Sequence, residues 1–451
     1  MTNHKAAAIV LAAGLGTRME SDRPKVLHAL AGRAMIYWLL DSIAAAGINS
    51  VSVVISDGDA GAAVGAAVVP HRTVIQGEQL GTGHAVRCVC DAGDLAADDV
   101  LVLFGADPLI RPATLERLLA ARRDGAAVVV LGFRPPDPGL YGRLVVGADG
   151  TLEAIVEARD ATPEQRAIDL CNSGVMVIDG SRLADLVGRL DNNNAKKEYY
   201  LTDIVALARG DGLICTLVEG DAEELVGVDS RADLAVAEAI VQTRLRGDAM
   251  AGGATLADPT TVYFSFDTVL GRDVTVGPNV VFGPGVTVSD GAEIRAFSHL
   301  EGARVGPDAV VGPFARLRPG ADVGSGARVG NFVEVKNAVL DSGAKVNHLS
   351  YVGDAHIGAF ANVGAGTITC NYDGFSKHRT VIGAGAFIGS NTALVAPVKV
   401  GDGASIGAGS VITKDVAADA LALTRADHRE IEGGAERLRR RKAKDKNKEE
   451  G

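Results

Sequence analysis

Apolar residues return every six positions through the second half of the chain. They stand at Val276, Phe282, Val288, Ile294 and Leu300, often followed by glycine. After a one-residue slip they resume at Val305, Val311, Leu317, Val323, Val329 and Val335. Further slips lead to Leu340, Val346 and Val352, then to Ile357 and Val363. Past an interruption at 368–381 the beat returns at Ile382, Ile388, Leu394, Val400, Ile406 and Ile412. Neither a helical nor a strand period fits this spacing. A period this short marks a solenoid whose repeats are each one short strand and one turn. The apolar positions point inward and stack, and Gly, Asp, Asn and Pro between them supply the turns. The expectation is a left-handed parallel β-helix from about 252 to about 425.

The first half carries a different pattern. Segments 6–13, 51–55, 100–104 and 127–131 read as buried strands, and 35–46, 83–90 and 112–123 as helices between them. Alternating strands and helices predict βαβ units and a mostly parallel sheet. Residues 231–248 are rich in helix formers, with no Gly or Pro before Gly247. The expected organisation is an α/β domain over 1–230, a linker helix over 231–250, and a β-helix domain with a basic disordered tail over 251–451.

Composition narrows the class. The 451 residues are 47% hydrophobic with a formal charge of −11. No run approaches the ~20 apolar residues of a membrane helix, and the N-terminus lacks a signal-peptide pattern. The acidic balance argues against nucleic acid as a partner. Only the tail, Arg437-Leu-Arg-Arg-Arg-Lys-Ala-Lys-Asp-Lys446, is basic; it reads as a solvated end with room for an anion or RNA contact. Five cysteines, Cys88, Cys90, Cys171, Cys215 and Cys370, are scattered without metal-site spacing. A reducing cytoplasm suits them.

Two clusters carry candidate chemistry. The run Leu11-Ala12-Ala13-Gly14-Leu-Gly16-Thr-Arg18-Met19 follows the first strand. Glycines there let backbone N–H groups curl toward a phosphate at the carboxyl end of a strand. Arg18 and Lys25 add positive charge, although an ordinary strand–helix turn also uses Gly-X-Gly. The second cluster lies in the β-helix: Arg318, Asn331, Lys336, Asn347-His348-Leu-Ser-Tyr351, Asn362 and Cys370-Asn371-Tyr372. Folding a solenoid needs few such groups. Acyl transfer to an amine needs a base and oxyanion donors, and histidine titrates nearest neutrality. A lone histidine is also a common structural residue.

The first run, with Pro24-Lys25 downstream, resembles sugar-1-phosphate nucleotidyltransferases. Gln76-Gly-Glu-Gln79-Leu-Gly81-Thr82-Gly-His84 is similar to that family's base-reading segment. Tyr141-Gly142-Arg143, Val156-Glu157 and Cys171-Asn172-Ser173-Gly174 are similar to its sugar-binding segments. With the β-helix, and with Asn192-Asn-Asn-Ala195 and Glu198-Tyr-Tyr-Leu-Thr-Asp-Ile204, nearly the whole chain resembles the bacterial bifunctional N-acetylglucosamine-1-phosphate uridyltransferase / glucosamine-1-phosphate N-acetyltransferase family.

That resemblance implies a Rossmann-like nucleotidyltransferase domain, Mg²⁺, and UTP and acetyl-CoA as co-substrates. It implies a cytoplasmic homotrimer making UDP-N-acetylglucosamine for peptidoglycan and lipopolysaccharide synthesis. Leu11, Ala12, Ala13, Gly14, Arg18, Lys25, Gln76, Gly81, Thr82, Gly142, Glu157 and Asn172 would bind nucleotide and sugar. In the β-helix His348 would be the general base. Arg318, Lys336, Tyr351 and Asn362 would bind the sugar phosphate. Ala365, Asn371, Tyr372, Ser390, Ala408 and Arg425 would bind acetyl-CoA. The loop at 368–381, with Lys377-His-Arg379, would reach a neighbouring subunit.

The chain departs from the family at the metal. Where the family shows Gly-Asp-X-Pro, this chain reads Gly105-Ala106-Asp107-Pro108. Where it shows Gly-Val-Asn, this chain reads Gly227-Val228-Asp229. Asp229, and Asp107 after a local backbone shift, are the candidate metal ligands, with slower or more Mg²⁺-demanding uridyl transfer expected. On the residues, an acetyltransferase with a damaged first site and a non-catalytic scaffold stay open beside the bifunctional enzyme.

Overall fold

A computed structural model describes residues 4–93, 95–194 and 196–449. Ala195 of the asparagine-rich marker lies outside them. The chain divides into two compact units, Met1–Gly247 with Phe264–Phe266, and Asp248–Tyr263 with Asp267–Gly451.

The first unit is built on a twisted sheet. Its strands are β1 (Ala6–Leu11), β2 (Ser50–Ser56), β3 (Arg72–Gln76), β4 (Asp99–Phe104), β5 (Val128–Phe133), β6 (Cys171–Asp179) and β7 (Cys215–Glu219). They lie in the order β7-β5-β6-β4-β1-β2-β3. All neighbours run parallel except β6, which is antiparallel to β4 and β5. Both faces are covered. Ala8, Val10, Val53 and Leu101 pack into one core, and Ile9, Val54, Val100 and Val102 into another. Burial on both faces explains why these strands read as continuous apolar runs rather than alternating ones. The hairpin Arg143–Val146 with Leu152–Val156 hangs from β6.

Helix Arg231–Ala251, expected as a linker, lies mostly in this first unit. Ala237 and Val241 bury against Leu30, Met35 and Val228. Buried Gln242 accepts from Phe264 N at 2.8 Å and donates to Phe264 O at 2.7 Å.

The second unit is a parallel β-helix. Every apolar beat position named above is at most 3% exposed. Coil length follows from register. Val310 pairs with Arg328, eighteen residues on, and Arg328 with Lys345, seventeen on. The one-residue slips are therefore shortened corners that keep the apolar positions in the core. Asn362 pairs with Phe387, twenty-five residues on, so the interruption is a loop inserted into one coil while stacking continues. Cis peptide bonds precede Pro313 and Pro397 at turns. The tail, expected to be disordered, instead forms the helix Gly434–Glu449. Its Lys, Arg, Glu and Ala are good helix formers, and Arg440 pairs with Glu436 one turn back at 2.6 Å. Among the described residues no helix is long and apolar enough to cross a membrane.

Candidate active sites

The first site opens at the carboxyl end of β1. Leu11, Ala12, Ala13, Gly14, Lys25, Gln76, Gly81 and Thr82 line one cavity of about 270 Å³, together with Ala106. Nothing in the protein lies within 4 Å of a Cβ built on Gly14, so that glycine leaves space open to the cavity. Gly81 is different: its φ is +105° and a Cβ would meet Tyr199 O at 2.7 Å. Gln76, nearly buried, donates to Gly81 O at 3.0 Å, and Gln79 donates to Ala13 O at 2.7 Å. The first bond closes the 76–81 turn on itself, and the second ties it to the loop after β1. Thr82 turns its hydroxyl to accept from Leu201 N at 3.1 Å, so it also holds the loop beneath the cavity.

A second cavity of about 630 Å³ lies beside it, lined among others by Arg18, Tyr141, Glu157, Lys196, Tyr200 and Asp229. Burial raises the pKa of Glu157 against the opposing pull of Lys196 and a hydrogen bond from Thr202. Gly142 and Asn172 line neither cavity. Asn172 N donates to Gly142 O at 2.8 Å, and Asn172 Oδ1 accepts from Gly174 N at 2.9 Å. Sequence reasoning assigned Arg143 only to a segment. Its buried guanidinium donates to the carbonyls of Pro138, Gly139, Tyr141 and Arg166 and so shapes the loop bearing Tyr141.

The cations converge between these cavities. Asp229 accepts from Lys25 Nζ at 2.7 Å through Oδ1 and pairs with Arg18 at 2.8 Å through Oδ2. Burial works against ionising Asp229, yet these partners more than offset it and hold the carboxyl below its ordinary value. Ala106 lines the first cavity, whereas Asp107 lines neither. Asp107 is buried, its Oδ1 3.2 Å from where a Cβ on Gly227 would sit. Burial pushes its pKa up to about 7, with Lys25 opposing and Asp229 reinforcing. No group of three or more His, Cys, Asp or Glu fit to hold a metal exists among the described residues. Of the two candidates only Asp229 presents a carboxylate at a cavity, which suffices for a divalent cation shared with phosphates, since such an ion commonly takes one or two carboxylates from the protein.

The β-helix presents its candidates on separate sheets. Arg316 aligns with Glu334, and Glu334 with Tyr351; Arg318 donates to Glu334 at 2.8 Å. Lys336 follows on the same strand and aligns with Gly353. His348 lies in the other sheet, where its strand aligns with Asn331 and Asn362. Its Nδ1 lies 2.8 Å from Asn331 Oδ1. An amide oxygen only accepts, so this contact leaves Nε2 as the free lone pair. Between the two sheets runs a ridge of exposed apolar residues at one corner. Phe297, Phe314 and Phe332 stack with centroids 4.9 and 5.2 Å apart, and Leu349 continues it with φ +50°. Tyr351 lines a groove on one side of this ridge and His348 a groove on the other.

The remaining candidates divide likewise. Ala365 O accepts from Asn391 N at 2.7 Å and Ser390 O from Gly409 N at 2.8 Å, so Ala365, Ser390 and Ala408 stack in successive coils. Arg425 passes within 4 Å of Cβ positions built on Gly407 and Gly409. Asn371 starts the inserted loop and donates to Asp354, which also accepts from Asn337 at 2.6 Å. Burial raises the Asp354 pKa, but these two amides outweigh it and the net shift is downward. Tyr372 is exposed and donates to Gly374 O at 2.6 Å. The sequence does not single out Glu334 and places Asn331 in the candidate cluster without a role. Their signal was the coil length: each lies seventeen residues before a candidate, Tyr351 and His348 respectively.

A model of the MobA-like NTP transferase domain matches residues 8–170, and one of the bacterial transferase hexapeptide (six repeats) matches 379–414. The chain is 62% identical to "Bifunctional protein GlmU" of Paramagnetospirillum magneticum over the full length of both. It is 62% identical to the protein of that name from Rhodospirillum rubrum, covering 96% of this chain and 97% of the other. For that of Azorhizobium caulinodans the figures are 58%, 99% and 100%. With a nucleotidyltransferase unit and a hexapeptide-repeat transferase unit in one chain, this protein belongs to the GlmU family of bifunctional enzymes.

Proposed function

We propose that this chain makes UDP-N-acetylglucosamine in two steps. Acetyl-CoA first acetylates glucosamine 1-phosphate, and UTP then uridylates the product with release of pyrophosphate. The observation that carries the reading is the meeting of Arg18 and Lys25, one on each of two adjoining cavities, at the point where a phosphate chain would join nucleoside to sugar. Residues 1–230 would carry uridyl transfer, 231–250 the connecting helix, and 251–451 acetyl transfer.

In uridyl transfer a phosphate oxygen of the sugar bonds to the α-phosphorus of UTP while the bond to the β-phosphate oxygen breaks. Catalysis of such steps is alignment and charge neutralisation. Gln76, Gly81 and the 11–14 loop orient the nucleoside. Glu157 and the hairpin loop, with Asn172 beneath it, orient the sugar hydroxyls. Arg18 and Lys25 take up phosphate charge. Asp229 would hold Mg²⁺, which neutralises charge on the leaving pyrophosphate, and Asp107 lies behind it.

In acetyl transfer the amine attacks the thioester carbonyl, the carbon–sulfur bond breaks and the thiol of CoA leaves. His348 Nε2 takes the amine proton, with Asn331 holding the opposite face of the ring. Arg318 and Lys336 hold the sugar phosphate, Tyr351 and Asn362 the sugar. Ala365, Ser390, Ala408 and Arg425 form the CoA track, with Asn371 and Tyr372 at its edge. His348 and Tyr351 flank an exposed ridge in one chain, which supports a homotrimer in which a neighbour's face completes each site. Such an enzyme works in the cytoplasm, where UTP and acetyl-CoA are made.

The test supplies UTP with N-acetylglucosamine 1-phosphate, and separately acetyl-CoA with glucosamine 1-phosphate. Pyrophosphate release and free CoA thiol are the expected products. A chain that gives only the second is a monofunctional acetyltransferase, and one that gives neither is a scaffold.

A further inference from the structure

Three segments far apart in sequence bring one carboxylate against two cations in the α/β unit. Arg18 sits in the turn Thr17–Met19, Lys25 begins Lys25–Leu27, and Asp229 precedes helix Arg231–Ala251. Their backbones are fixed. A Cβ on Gly16 would lie 2.8 Å from Lys25 Cβ. Arg231 Nε donates to Met19 O at 3.0 Å, Val228 N to Ala106 O at 2.9 Å, and Asp229 N to Asp233 Oδ2 at 3.1 Å. Freedom remains in the side chains: Arg18 is 70% exposed and Asp229 43%, while Lys25 is held at 17%. Each Asp229 oxygen takes one cation, the arrangement two oxygens of a phosphate would adopt between them.

We propose that Asp229 is an internal counter-ion that occupies the polyphosphate-binding cations until substrate displaces it. The proposal deepens the uridyltransferase reading and rests on it. An incoming polyphosphate has to take Lys25 and Arg18 from Asp229. The freed carboxylate then sits beside the phosphates, where it would hold the divalent cation that accompanies them. Metal-free polyphosphate meets an unpartnered negative charge at the same point and binds poorly. Phosphate and metal binding are thereby coupled through one side chain. An amide at 229 keeps an oxygen for the metal but carries no charge to hold the cations, so it loosens that coupling.

The experiment is calorimetric titration of the full-length chain with inorganic pyrophosphate, and separately with UTP, in a chelator and then with excess Mg²⁺, for the wild type, Asp229→Asn and Asp229→Ser. Removing one negative charge within a few ångströms of a polyanion is expected to tighten metal-free binding about ten- to a hundredfold. Both variants should move in that direction, and adding Mg²⁺ should improve the wild type by a larger factor than either variant. Metal-free affinity that is unchanged or weaker in both variants overturns the counter-ion. An equal gain from Mg²⁺ in all three proteins overturns the coupling. Both variants keep the half-exposed site free of new bulk, and a melting curve for each verifies the fold. If the wild type binds neither pyrophosphate nor UTP with Mg²⁺ present, the uridyltransferase reading falls and the counter-ion falls with it. If it binds both while the variants behave like the wild type, only the counter-ion falls.

Discussion

The two units solve the same problem, holding a phosphorylated sugar, by opposite means. The α/β unit encloses. Its cavities lie at strand ends, its polar groups are partly buried, and burial shifts the pKa of Glu157 and Asp107 upward. The β-helix displays. Its core is a closed column of apolar side chains, so Arg318, Tyr351 and His348 stand on outer faces, with Tyr351 and His348 each lining a groove. Open βα loops can fold around a ligand, but a solenoid coil of seventeen or eighteen residues has no spare chain to do so. Its inserted loop at 368–381 is the exception.

The largest expected effect separates the units. His348→Ala should lower acetyl transfer by ~10²–10⁴-fold, the usual worth of a general base, and leave uridyl transfer unchanged. Product assays with each substrate pair decide it, and near-normal acetylation defeats the role of His348. Next comes stability. Leu317 is fully buried in the column, so Leu317→Ala should cost about 2–5 kcal/mol. Solenoid repeats mainly contact their neighbours, which confines the damage. Denaturant titration followed by both assays should show acetylation lost well before uridyl transfer. Simultaneous loss would mean that the units do not fold separately.

The same contrast governs what was legible beforehand. The solenoid was readable because each coil repeats one rule, and all its beat positions are buried. Its site was less readable, because partners seventeen residues apart, such as Asn331 and His348, look unrelated until coil length is known. Strand positions β1, β2, β4 and β5 were readable as apolar runs. Strand β6 was not, since Cys171-Asn-Ser-Gly174 breaks the run with polar residues and a register shift lies between Asn172 and Met176. The tail was misread because a charge run has no apolar face to signal a helix, although its residue types favour one.

A third prediction sharpens the enclosed side. Asp107 titrates near 7 in the fold and near 3.8 when unfolded. Between those values the folded state holds the extra proton, so stability falls as pH rises from about 4 to about 7, by at most ~1.4 kcal/mol per pH unit. Asp107→Asn should flatten that decline in melts recorded across the range. An unaltered slope means that Asp107 is not the group responsible.

On the displayed side, Asn331→Ala should slow acetylation about tenfold by freeing the imidazole to rotate and change tautomer, a loss typical of removing a group that orients a histidine. Asn331→Asp, which also accepts from Nδ1, should recover most of the rate and shift the pH profile upward by favouring the charged ring. A loss without recovery and without a shifted profile would reduce Asn331 to a packing residue.

The smallest effect bears on the metal of the α/β unit. Ala106 faces the first cavity of the α/β unit and Asp107 lines neither cavity, as expected for adjacent residues at a strand end. A carboxylate at 106 would face the cavity beside Lys25, while Asp107 stays buried with a pKa near neutrality. The change Ala106→Asp with Asp107→Thr moves one acid from the buried to the open position at a constant number of acidic residues. It should raise uridyl transfer a few-fold at low Mg²⁺ and little at saturation, because Mg²⁺ gains a second carboxylate. The new charge also draws on Lys25, and this limits the gain. Rates measured across a Mg²⁺ series separate the two tendencies: a lower Mg²⁺ midpoint reports the added ligand, and an unchanged midpoint with a lower plateau reports the competition for Lys25. If the midpoint stays fixed and Asp229→Ala is also harmless, neither carboxylate holds the metal, and the enclosed site relies on substrate phosphates alone.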